Sequence, residues 1–179
     1  MSQPFDPYSV LPPVEGFTLR SDDIADGRTL DVAQRSGLFG APGRDRSPHL
    51  AWTGHPADTR SFAVTCYDPD APTGSGFWHW AVHDIPATVT ELPTGAGDSG
   101  GERLPAGART LANDMGERRF LGAAPPPGHG PHRYFFVVHA LDVDRLDLTP
   151  EATPAWLGFH LFAHTLGRAM LVPVFEIPA

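Results

Sequence analysis

Proline and glycine punctuate this chain from end to end, with 20 prolines and 19 glycines scattered over 179 residues. Proline has no amide hydrogen to give to a helix or a central ladder, and glycine gives up the most backbone freedom on folding. Such a scatter leaves room for short elements joined by many turns, and predicts a mainly β domain with few helices. Hydrophobic residues make up 41% of the chain, enough to furnish one sizeable core at this length.

Charge and chemistry narrow the function classes. The formal charge is −8, from 13 basic and 21 acidic residues, which argues against nucleic acid and anionic membrane surfaces as partners. All the basic residues are arginine. Without lysine there is no P-loop lysine, Schiff base or Ser-Lys pair. Cys66 is the sole cysteine, so an intrachain disulfide is impossible and a reducing compartment suits the chain. The start, MSQPFDPYSVLPP, has neither the charged nor the apolar region of a signal peptide, and no apolar run reaches a membrane span of ~20 residues. A cytoplasmic protein with no membrane span is expected.

Residues 1–16 carry Pro4, Pro7, Pro12 and Pro13 and read as an extended arm; residues 17–179 read as a single domain. Strands are predicted at Phe17–Arg20, Phe62–Tyr67, Phe77–Ile85 and Arg133–Leu141, with short ones at Arg119–Leu121 and Val174–Ile177. Arg35–Pro48 reads as an irregular loop. One helix is predicted over Pro154–Met170, capped by Thr153 with Pro154 at its first position, its inward stripe formed by Phe159, Phe162, Ala163, Leu166 and Met170. The sum is a β-sandwich with peripheral helices.

Polar residues stand at the ends of otherwise apolar strands in three places. Asp68 and Asp70 sit in a turn stiffened by Pro69 and Pro72. Strict alternation puts His79 on the face opposite Trp78 and Trp80, and His132 on the same face as Tyr134. Arg133 alternates away and reads as a structural salt-bridge residue. Carboxylates close to imidazoles favour the imidazolium, and an imidazolium is a good anion donor. A small anion-binding pocket follows, suited to a phosphate-like group linked to an amine.

The segments that carry these residues, YDPDAPTGSGFWHW (67–80) and GAAPPPGHGPHRYFFVVHAL (122–141), strongly resemble the phosphatidylethanolamine-binding protein family, in its bacterial Raf-kinase-inhibitor-like branch. SPHLAW (47–52), RSFAVTCYD (60–68) and LGFHLFAHTLGRA (157–169) fit the same branch. The resemblance covers roughly residues 17–172. It implies a Greek-key β-sandwich with helices at one end and a pocket for phospholipid head groups such as phosphoethanolamine, or for phosphorylated partners. It also implies modulation of a protein kinase or protease, and a homodimer. By the same resemblance Asp68, Asp70, His79 and His132 bind the ligand, Tyr134 lines the pocket, Gly122 and Pro125 form its rim, and Ala71–Pro72 is a cis peptide. No cofactor or catalytic residue is implied.

Two alternatives stay open from the residues. One is a weak hydrolase using Asp70 and His132 as acid and base; Cys66, alternating with Phe62 and Val64, reads as core instead of nucleophile. The other is a metal protein, with the pocket residues or the i, i+4 pair His160 and His164 as ligands. His83 and His139, inside strands, read as core or inter-strand hydrogen-bonding residues.

Overall fold

The computed structural model describes residues 5–40 and 42–179, so the first four residues of the predicted arm and Ala41 of the predicted loop lie outside the described residues. In chain order the elements are β1 (Glu15–Gly16), β2 (Thr18–Arg20), β3 (Leu50–Thr53), β4 (Ser61–Asp68), β5 (Phe77–Pro86), β6 (Glu91–Leu92), β7 (Arg109–Thr110), β8 (His132–Arg133), β9 (Phe135–Leu141), α1 (Pro154–His164), β10 (Thr165–Leu171) and β11 (Val174–Phe175). The main sheet has the order β1-β10-β9-β4-β5-β7; β2-β3-β6 and β11-β8 form two smaller sheets.

The main core is the space between the large sheet and the small ones. Phe62, Val64 and Cys66 of β4, Trp80 and Val82 of β5 and Phe136 and Val138 of β9 meet Leu50 and Trp52 of β3, Leu92 of β6 and Phe175 of β11. On the other face, Ala63 and Ala81 receive Leu157 and Leu161 of α1. A sheet covered on both faces has no solvent side to mark with polar residues, which is why β9 reads FFVVHAL and is buried throughout.

The helix differs from the sequence-based expectation in length and facing. It stops at His164, because Thr165–Leu171 pairs antiparallel with β9 and a sheet edge in need of a partner outweighs local helix propensity. Thr165 and Gly167, poor helix formers, are the local sign of this. Thr153 caps the start as expected, accepting from the Trp156 amide at 3.1 Å, with Pro154 in the first turn. The inward stripe is only Leu157 and Leu161, since the small residues beneath admit one narrow ridge; Phe159 and Phe162 stand outside, 63% and 62% exposed, with Trp156 stacked on Phe159. Arg119–Leu121 is not a strand; the short strand in that region is β7. Ala71–Pro72 is trans, since the described residues contain no cis peptide.

The arm lies on the domain from Phe5 onward. The Phe5 carbonyl accepts from Arg133, Tyr8 packs against Phe135 and His139, and β1 pairs in parallel with β10. Among the described residues no helix is long and apolar enough to cross a membrane.

Candidate functional site

The turn after β4 is built by Asp68. Its Oδ1 accepts from the amides of Asp70 at 2.8 Å and Ala71 at 3.1 Å, so the side chain replaces the ladder bonds that Pro69 and Pro72 cannot make. This leaves Oδ2 aimed at β8, where His132 Nδ1 donates to it at 2.7 Å. Both groups are almost fully buried, Asp68 at 3% and His132 at 1% exposure.

His79 arrives through a break in the alternation. Cys66 pairs with Trp80 and Tyr67 with Trp78, so His79 is an extra residue in β5, a bulge. The bulge sends the two tryptophans to opposite faces, contrary to the expected shared face. Trp80 enters the main core, and Trp78 packs on Tyr67 at 4.4 Å on the far side of the sheet. His79 is thereby turned toward β8 and packs edge-on to Tyr134, with ring centroids 5.3 Å apart. Its Nδ1 lies 2.9 Å from the Leu121 carbonyl, which can only accept, so the proton sits on Nδ1. Nε2 is buried without a protein partner, and the residue lines the pocket.

The electrostatics of His79 run against the expectation of a favoured imidazolium. Burial pulls its pKa below the ordinary 6.5, and the opposing pull of Asp68 and the Leu121 carbonyl does not restore it. Neutral His79 therefore offers the pocket an acceptor at Nε2. The unfolded chain takes up this proton at higher pH than the folded one, so stability is full above pH 6.5 and falls as pH drops toward the folded value. His79→Gln is expected to flatten that part of the acid decline, measured as denaturation midpoint against pH; an unchanged slope would show that His79 is not held neutral.

Asp70 is engaged elsewhere. Its Oδ2 accepts from the Arg133 amide at 2.9 Å and Nε at 2.8 Å, and its Oδ1 from Nη2 at 2.7 Å. Burial disfavours its charge, but the Arg133 bonds prevail and hold the carboxyl below its usual value. Arg133 is the salt-bridge residue read from the sequence, and its partner is the second aspartate of the turn. Asp70 thus braces β8 from behind.

The cavity measures about 260 Å³ and is lined by Asp68, His79 and His132 against apolar walls that include Pro72, Phe77 and Leu121. Gly122 and Pro125 are among its lining residues. Gly122 donates its amide to Asp45 Oδ1 at 2.8 Å, so that group is committed within the fold. Tyr134 stands behind His79 and off the wall, its hydroxyl buried and its pKa pushed upward by burial. A larger, shallower depression of about 800 Å³ between Ser99–Ala108 and Glu117–Arg119 contains no histidine.

One residue of the site was not foreseen. His129, exposed on the loop before β8, places Nδ1 2.7 Å from His132 Nε2. Asp68, His132 and His129 form a chain of two short hydrogen bonds from core to surface. The signal was present in GHGPH (128–132), which spaces two histidines three apart around a turn glycine and a proline.

The alternative chemistries find little geometry. His132 is paired with Asp68, not Asp70, and Cys66 is buried in the core with its pKa raised well above normal by burial. Of the helical pair, His164 bonds Asp142 at 2.9 Å and His160 packs edge-on to Trp156. Among the described residues no group of three or more His, Cys, Asp or Glu side chains is arranged to hold a metal.

Comparison with known proteins converges on one family. Residues 20–176 match the phosphatidylethanolamine-binding protein family. The chain is 46% identical to UPF0098 protein YbcL of Escherichia coli over 90% of its own length and 88% of that protein's, and 35% identical to a UPF0098 protein of Aquifex aeolicus over 85% and 91%. It superposes on the crystal structure of E. coli YbcL with a TM-score of 0.87, covering 90% of this chain and 98% of that one. On a phosphatidylethanolamine-binding protein homolog from Chlamydia trachomatis, 25% identical, the TM-score is 0.72, with coverage of 90% and 98%. The family is named for binding and not for a reaction, and with its fold and its match over nearly the whole length, this chain belongs to the phosphatidylethanolamine-binding protein family.

Proposed function

We propose that the pocket between the β4–β5 turn and β8 binds a phosphate-like head group carrying an amine, as in phosphoethanolamine. The observation that carries this reading is the convergence of the buried Asp68–His132 pair, extended by His129, with the unpartnered Nε2 of His79 in one small apolar-walled cavity. Apolar walls with a few convergent polar groups are the usual build of a small-molecule site. A phosphomonoester near neutral pH has its second pKa near ~6 and carries both acceptor oxygens and, part of the time, a P–OH. The P–OH form suits the acceptor on His79. The charged oxygens suit a proton delivered through His132, and Asp68 supplies negative charge for the ammonium.

His129 has a part in this reading. Its Nδ1 occupies the outward nitrogen of His132, the one that would face a ligand, so a single proton is shared between the two rings. An anion displaces His129 or bridges to it. Either way the exposed ring couples His132 to solvent.

Calorimetric titration with phosphoethanolamine tests the proposal. Saturable binding is expected in the wild type and its loss in the double variant His79→Ala, His132→Ala. No binding in the wild type, or the same affinity in the variant, would sink it. Action on a kinase or protease is the further consequence that the family likeness suggests, and an in vitro inhibition assay with the same double variant checks whether it depends on this pocket.

A further inference from the structure

We propose that a second cavity, on the face of the main sheet opposite the main core, is a separate binding site for a small carboxylate with a flat apolar body. It measures about 280 Å³ and lies between the N-terminal arm, α1 and the strands β4, β5, β9 and β10. Its walls include the aromatic rings of Tyr8, Tyr67 and Trp78.

Two basic side chains in this cavity, His139 and Arg168, pack against the Tyr8 ring but have buried nitrogens without hydrogen-bond partners. His139, 2% exposed, is in the core as one of the two expected readings has it, but it makes no inter-strand bond, since neither ring nitrogen has a protein hydrogen bond. A buried imidazole without partners costs stability and calls for an account. Arg168 is directly opposite His139 in the β9–β10 register, and both line the cavity. No carboxylate among the described residues lies within ion-pair distance of Arg168, and its buried Nε has no partner; the five residues outside the description carry no acidic side chain. Burial and the neighbouring Arg168 charge hold the His139 pKa down at about 3, which leaves a neutral ring with one N–H to donate.

A guanidinium and an imidazole facing each other across two strands have no mutual attraction, and the Tyr8 ring that both pack against supplies neither with an anionic partner. A carboxylate between them supplies what both lack. It pairs with the guanidinium in the fork geometry that arginine favours and accepts the imidazole N–H. The aromatic walls then take an apolar body on the far side, and the volume fits a ligand of benzoate size. None of these residues belongs to the phosphate pocket, so the two sites are independent.

Benzoate is the probe, titrated into the full chain with tryptophan emission as the readout, since Trp78 is in the wall. Saturable binding is expected, weakened at least about tenfold in Arg168→Gln through loss of the charged pair. Benzyl alcohol, of the same shape without the charge, is expected to bind as weakly as benzoate binds the variant. Phosphoethanolamine titration of Arg168→Gln is expected to match the wild type. No saturable benzoate signal, equal benzoate affinity in Arg168→Gln, or equal affinity for benzyl alcohol would overturn the proposal. If thermal melting shows that Arg168→Gln does not fold, the side-chain 15N resonances of His139 in the wild type decide: a saturable shift with benzoate supports the site, and none overturns it.

Discussion

Replacing Asp68 by alanine is expected to cost about 3–5 kcal/mol, the usual penalty for removing one partner of a buried charged pair. The change orphans three groups at once: the Asp70 and Ala71 amides that shape the turn, and His132 Nδ1. At ~2–4 °C per kcal/mol for a domain of this size, the melting midpoint should fall by roughly 6–20 °C. Asp68→Asn separates the two roles. Its amide oxygen can keep the turn, and its NH₂ then faces His132 Nδ1. That nitrogen must give up its proton and become an acceptor, so the proton moves to Nε2 and the whole chain out to His129 reverses direction. A cationic His132 would set donor against donor. Asp68→Asn is therefore expected to melt much closer to the wild type than Asp68→Ala does, yet to bind phosphoethanolamine at least about tenfold more weakly, because the carboxylate that offers its charge to the ligand's ammonium is gone, a charged hydrogen bond being worth ~1.5–3 kcal/mol. Calorimetry together with thermal melting reads both. Wild-type affinity in Asp68→Asn would show that the Asp68 charge does not matter to the ligand.

Gly122→Ala should be as damaging, for a reason that has nothing to do with charge. A Cβ at this position would meet the Arg35 carbonyl carbon at 2.3 Å, its oxygen at 2.4 Å and the Ser36 amide nitrogen at 2.6 Å. All three are backbone atoms, so no side chain can turn aside to make room. The contact is close because Arg35 bridges to Ala123, with the Ala123 amide donating to Gln34 and the Ser36 amide to Ala123. Separating these segments would also strain the bond from the Gly122 amide to Asp45 and shift Leu121, whose carbonyl fixes the His79 ring. A loss of about 3 kcal/mol or more is expected, at the upper end for overpacking, and with it weaker phosphoethanolamine binding. Gly74→Ala is the control: a Cβ there meets nothing within 4 Å, and its melting midpoint should match the wild type. If Gly122→Ala melts with Gly74→Ala, the close approach of Arg35 is not a constraint on the fold.

Much of the site was legible because its residues are local to two motifs. The DPDAP turn and the PHRY strand start each announce themselves through proline and charge. The partners within the site were harder to read. Asp70 and Asp68 are two positions apart and look equivalent, yet one holds Arg133 and the other His132. His79 required a bulge that alternation cannot foresee, because the extra residue is set by how β5 must register against β4. His129 reads as a loop residue until the turn folds it onto His132.

The same division holds for the fold. From the sequence alone come the mainly β class, the central strands, the capped start of α1 and the family, since each rests on short-range pattern: β-branched and aromatic runs, proline and glycine at turns, an oxygen-bearing residue before a proline. What only the tertiary structure decided is where α1 stops, which of its faces is buried, and where the polar side chains inside the sheets point. Those depend on partners distant in the chain. β10 is a strand because β9 offers an edge, Phe159 and Phe162 lie outside because Ala63 and Ala81 admit only a narrow ridge, and His139 faces Arg168 because two strands thirty residues apart happen to pair in that register.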